Sequence, residues 1–331
     1  MGLLSFFSRQ RITTAIAIYA IVIATWGVKW YFVGWGEVVA AGWQTPLGMA
    51  VEDKVPQGVL VPLSLLLYVL VAAVMQSIFS RVHPGQSKNY LMHLFVPLLS
   101  TMSIYGGAFG SVAAALGTLA GLHVVILLLS KEQRTYSDTL FRACFLIGLL
   151  TLVYYPTAVL LLVVFVAMIY QNVATGKRLI ISLISFILPS CFAIAIALLL
   201  GANPDSYIGV GRLVHFIKES WFMSGWVVNM PLVAWGVLLL LLLMLWVGRR
   251  NRQSRNILAV YSDSLLRWGA MFSLFPFVML PSSSAIPVMI APAVGSGYVY
   301  YLTGRGSERV QKWTFAAVVP ILILGNLWVA F

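Results

Sequence analysis

Charged side chains are scarce in this sequence, so the few that gather between apolar runs are where chemistry could occur. Glu37, Glu52 and Asp53 share one loop, residues 36–56, beside Trp35 and Trp43, and are three of only nine acidic residues in 331. A carboxylate at the edge of an apolar phase has its pKa raised by partial burial, which suits Glu37 or Asp53 to act as a general base. A second loop, 202–225, carries Arg212, His215, Lys218 and Glu219. Arg offers a bidentate fork and Lys a point charge, a pair suited to a phosphate-bearing head group. Leu213, Val214, Phe216, Ile217 and Trp221 alternate with those charges at helical spacing. That pattern predicts an amphipathic helix from Gly209 to Phe222, lying on a membrane surface. Each locus also has a plainer reading, as a solvated loop poor in Lys and Arg or as a helix that covers a bundle.

Two further cations sit at predicted helix starts. Asp138 and Arg142, like Asp263 and Arg267, are spaced i,i+4 and can pair on one helix face. Asp at a helix start suits the positive end of the helix dipole. Either the Arg snorkels from a structural helix start, or it offers a donor fork to a lipid phosphate. His93 and His123 are placed to meet between neighbouring helices, but no third ligand lies near them in sequence, so no metal site is expected. Walker, Rossmann, HExxH and nucleophile-elbow patterns are absent, and no cofactor is implied.

The elements that must position these residues are apolar helices. Hydrophobic residues make up 61% of the chain, charged residues only 9%, and mean hydropathy is +0.95. A soluble domain carries nearer a quarter charged residues. The reading is an all-α polytopic membrane protein, a single transmembrane domain over 1–331. Its predicted spans are 12–35, 57–80, 90–107, 110–130, 138–154, 157–174, 179–200, 226–248, 262–280, 285–303 and 313–331, about eleven helices. The first is too long for a signal-peptide core and reads as a signal-anchor helix. Cys144 and Cys191 both lie within apolar runs and imply no disulfide framework.

Lys and Arg set the orientation. With the N-terminus inside and the C-terminus outside, seventeen of the 21 fall on the cytoplasmic side. Only Lys54, Arg212 and Lys218 fall clearly outside, with Lys29 near that edge. The net charge of +12 is thus topological, set near anionic lipid head groups, and implies no nucleic-acid partner. Both loops rich in candidate residues lie on the outer side.

A short helical hairpin recurs, at 136–174 and 261–303. Tyr136-Ser-Asp-Thr-Leu-Phe-Arg142 returns as Tyr261-Ser-Asp-Ser-Leu-Leu-Arg267, and the match runs without gaps through the turn prolines Pro156 and Pro281. Nine of 28 positions are identical. Both copies start inside, so the relation is parallel, as in many transporter folds.

The stretch from Arg142 through Ile147-Gly148-Leu149 to Tyr155-Pro156 resembles a hairpin of GT-C-type glycosyltransferases, which use polyprenyl-phosphate-linked sugars. Arg267 through Met279-Leu-Pro-Ser-Ser-Ser-Ala-Ile-Pro to Pro292 resembles their late hairpin. The chain is also similar, over nearly its full length, to an uncharacterised multi-pass membrane family of Bacteroidota. These resemblances imply a bacterial inner-membrane protein acting at the outer face on a lipid-linked sugar. Glu37 or Asp53 would be the base, and Arg212, His215 and Lys218 would hold the phosphate; Arg142 and Arg267, on the cytoplasmic side, read instead as a separate pocket for a lipid phosphate. Membrane lipids are the expected partners. A non-catalytic envelope-assembly component, a lipid carrier or a transporter is the alternative.

The charge alternation makes a direct prediction. Reporter fusions at Ser254 and after Phe331 should read cytoplasmic and extracytoplasmic respectively. The reverse pattern would overturn the topology.

Overall fold

The computed structural model describes residues 3–8, 11–33, 45–82, 89–101, 107–129, 136–170, 172–209, 290–303 and 307–328, together with Trp268 and Met271. Among the described residues the regular elements are helices and there is no strand. In chain order they are α1 (Leu3–Phe7), α2 (Ile12–Val33), α3 (Pro46–Glu52), α4 (Gln57–Val82), α5 (Leu91–Thr101) and α6 (Gly107–Leu129). Then come α7 (Tyr136–Thr151), a 3-10 turn (Tyr155–Ala158), α8 (Val159–Tyr170), α9 (Gly176–Leu199), α10 (Asp205–Ile208), α11 (Ile290–Thr303) and α12 (Glu308–Trp328).

The long helices fall on predicted spans with ends shifted by a turn or so. Span 226–248 lies outside the described residues, and span 262–280 is described only at Trp268 and Met271. The second copy of the repeated hairpin is therefore described only at those two residues and in α11. Three short helices were not expected from apolar periodicity: α1, α3 and α10. Two stretches, Gly58–Arg81 in α4 and Gly176–Leu199 in α9, are each 24 residues long and apolar enough to cross a membrane. At 1.5 Å per residue that is about 36 Å, more than the hydrocarbon thickness of a bilayer.

The core centres on α5. Leu91, Met92, Leu94, Phe95, Val96 and Leu98 are all fully buried, because α2, α4, α11 and α12 pack around this helix. Phe95 stacks on Tyr298 of α11 with ring centroids 5.4 Å apart and meets Phe315 of α12 edge-on at 6.2 Å. Phe315 also reaches Phe7, which draws α1 onto α12. Many hydroxyl groups inside this apolar matrix bond within their own helices, while Thr14 of α2 donates to the Phe6 carbonyl of α1. Thr25, Ser100, Thr118, Thr151, Ser182, Ser185 and Thr303 each donate to the carbonyl four residues back. Such bonds satisfy a polar group where no water is available.

The closest helix pairing is α7 with α9. Cys144 meets Ser182, and Gly148 lies against Phe186 and Pro189. Both sets of numbers rise together, so the two helices run parallel, and α8, which connects them in sequence, packs chiefly on α6. Pro189 has no N–H to donate, and its ring disturbs the preceding turn. Gly148 fits that disturbed surface: a Cβ there would run into the Phe186 carbonyl and lie 3.1 Å from Pro189 Cγ.

This contact predicts a strong size dependence. Gly148→Leu should cost about 1–3 kcal/mol through overpacking, lowering the melting midpoint in detergent by several degrees. Gly27 of α2 is the control, since a Cβ there meets nothing within 4 Å. Gly27→Ala should be neutral, or stabilising by up to about 1 kcal/mol through helix propensity.

Candidate functional site

Two segments that are distant in sequence converge on the turn after α7. Thr45, fully buried, donates its hydroxyl to the Leu152 carbonyl, and its amide donates to the Val153 carbonyl at 3.3 Å. The same hydroxyl accepts the Gly48 amide at 3.0 Å, capping the first turn of α3. Gly48 has no side chain because α3 lies directly on the Val153 carbonyl. Tyr155, the first residue of the 3-10 turn, donates its hydroxyl to the Ile208 carbonyl and, at 2.9 Å, to the Gly209 carbonyl.

Gly209 closes the arrangement. It ends α10 in the left-handed region, with φ +64°, a conformation that suits glycine. A Cβ on it would lie 2.6 Å from Pro46 Cδ and 3.0 Å from the Tyr155 hydroxyl. The predicted amphipathic helix was expected to begin at Gly209. Instead Gly209 terminates α10, and residues 210–222 lie outside the described residues.

Asp53 follows α3 directly, its amide bonded to the Met49 carbonyl at 2.9 Å, and its side chain is exposed. It is brought to this junction. Arg142 is not. It pairs with Asp138 at 2.9 Å on the exposed start of α7, ten residues before Leu152, or about 15 Å along the helix. Helix α7 starts at Tyr136, so Asp138 lies inside the first turn and is not the cap residue. Glu37, Arg212, His215, Lys218 and Arg267 lie outside the described residues.

The two histidines have separate surroundings. His93 Nδ1 and the Tyr19 hydroxyl are 3.0 Å apart, the His93 ring contacts Tyr90, and His123 is exposed. Among the described residues no group of three or more His, Cys, Asp or Glu could hold a metal ion.

Thr45, Tyr155 and Gly209 did not stand out as functional in the sequence. The only signals were punctuation: Pro46 opening a helix, the Tyr155-Pro156 turn and a Gly after a short polar run. No protein-family model, curated protein or solved structure matches the chain.

The Arg142–Asp138 pair yields a clean test. Both side chains are more than half exposed, so the pair stabilises by about 0.3–0.5 kcal/mol. Arg142→Ala should move the melting midpoint by no more than about 2 °C. It should also leave binding to anionic phospholipid vesicles unchanged. A loss of vesicle binding would instead assign Arg142 to a lipid phosphate.

Proposed function

We propose that the chain is a polytopic protein of a bacterial inner membrane that handles a phosphate-linked lipid at its outer face, in the manner of a GT-C-type glycosyltransferase. The observation supporting a lipid environment is the inverted pattern of α9. Its buried residues are Ser182, Ser185, Pro189 and Ala197. Ile180, Ile184, Ile187, Phe192 and Ile196 are each half or more exposed. In water such a helix would turn the other way. In a bilayer the apolar face meets lipid, and small residues pack against the neighbouring helix. Moving five half-exposed side chains of this size into hydrocarbon contributes about 1 kcal/mol each, a sum comparable with the net stability of many domains.

Support for an outer-face site comes from chain reach. Pro46 and Gly209 are in contact, and α3 holds Asp53 about 10 Å from Pro46. Arg212 follows Gly209 by three residues, a span of at most about 11 Å. Acid and base groups from the two loops are thereby tethered to one point. The parallel run of α7 and α9 also accords with both helices ending on the outer side.

In the proposed reaction, Glu37 or Asp53 takes the proton of an acceptor hydroxyl. The acceptor oxygen forms a bond to the anomeric carbon as the bond from that carbon to the phosphate oxygen breaks. The polyprenyl phosphate leaves with the electron pair, and Arg212, Lys218 and His215 hold the developing charge. Arg267, like Arg142, belongs to the cytoplasmic side of this topology and takes no part.

Purified protein in nanodiscs, given a polyprenyl-phosphate sugar and a hydroxyl acceptor, tests this directly. Glu37→Gln should lower transfer by at least about a hundredfold. Arg212→Ala should weaken binding of the polyprenyl phosphate. Unchanged transfer in the first variant, or no transfer by the unaltered protein, leaves the non-catalytic lipid-carrier reading in its place.

A further inference from the structure

The junction is a closed triangle, and that has a consequence for how the outer face moves. One side joins α3 to the turn after α7, through Thr45 to the Leu152 and Val153 carbonyls. The second joins that turn to residues 203–209, through Tyr155 to the Ile208 and Gly209 carbonyls. The third joins residues 203–209 to α3, where Gly209 lies against the Pro46 ring. Helix α3 has seven residues and α10 four. Isolated helices shorter than about 12–15 residues are marginal in water, so neither holds its shape without the junction.

We infer that the turn at 152–158 works as a latch, coupling segments 45–53 and 203–209 into one cooperative unit that opens and closes as a whole. Releasing Tyr155 leaves Gly209 free to part from Pro46, which removes one of two supports of α3. Releasing Thr45 unseats α3, which removes the surface that holds Gly209. A ligand held by either segment is then felt by the other, because both share one opening equilibrium. The coupling is independent of what the outer face binds.

Hydrogen exchange followed by mass spectrometry on the protein in nanodiscs separates this from two independent loops. Tyr155→Phe removes one hydroxyl, and Thr45→Val replaces another with an isosteric methyl. Each should raise amide exchange by roughly fivefold, the effect of one lost buried hydrogen bond, in both 45–53 and 203–209. Residues 176–199 of α9 should keep their protection. Gly209→Ala, which places a methyl against both Pro46 and the Tyr155 hydroxyl, should loosen the same two segments. Coupling is overturned if Tyr155→Phe loosens 203–209 alone and Thr45→Val loosens 45–53 alone. It is overturned equally if neither segment responds, or if α9 loosens with them.

Discussion

Apolar side chains fill the interior of this protein and also cover much of its surface, so its polar groups must find partners within the protein, most often in the same helix. Much else follows from that constraint. The buried Ser and Thr hydroxyls turn back to carbonyls of their own helices, leaving no demand for water. Proline lies inside α4, α5, α9 and α12, and in α9 a neighbour fits the disturbed turn. At Pro189 that neighbour is Gly148, whose missing side chain lets α7 approach the backbone of α9. With little hydrophobic gradient between core and surface, close approach of small residues decides which helices pair.

The chain is held by two different kinds of contact. Around α5 the partners are aromatic rings: Phe95 with Tyr298 and Phe315, and Phe7 with Phe315. Ring packing is non-directional enough to tolerate small shifts, and it grows with buried area. At the turn after α7 the partners are hydroxyls and carbonyls, with Thr45 and Tyr155 each reaching backbone from distant segments. Those bonds are directional and few, so losing one is felt sharply.

Charged side chains on the described helices find partners close by in sequence. Exposed pairs such as Asp138–Arg142 and Glu308–Lys312 are already compensated locally along one helix face. In the second pair, the hydrogen bond from Lys312 holds the Glu308 carboxyl below its usual range.

Helix content was legible in the residues themselves, because long apolar runs bounded by basic residues can satisfy their backbones only as helices. Helices α2, α4, α6, α7, α8, α9 and α12 fall on predicted spans for that reason. The Asp138–Arg142 pair was legible too, since i,i+4 spacing is a local property of one helix. The junction was not. Thr45 and Leu152 are 107 residues apart, and Tyr155 and Gly209 are 54 apart. No periodicity encodes which carbonyl a hydroxyl will reach across such separations. The short helices α3 and α10 escaped notice for the same reason, being too brief to show a period and stable only where they dock. Composition and spacing therefore determined the helices and the distribution of charge, whereas tertiary packing alone decided that two separate loops share one turn, because only the folded chain brings their carbonyls and hydroxyls within bonding distance.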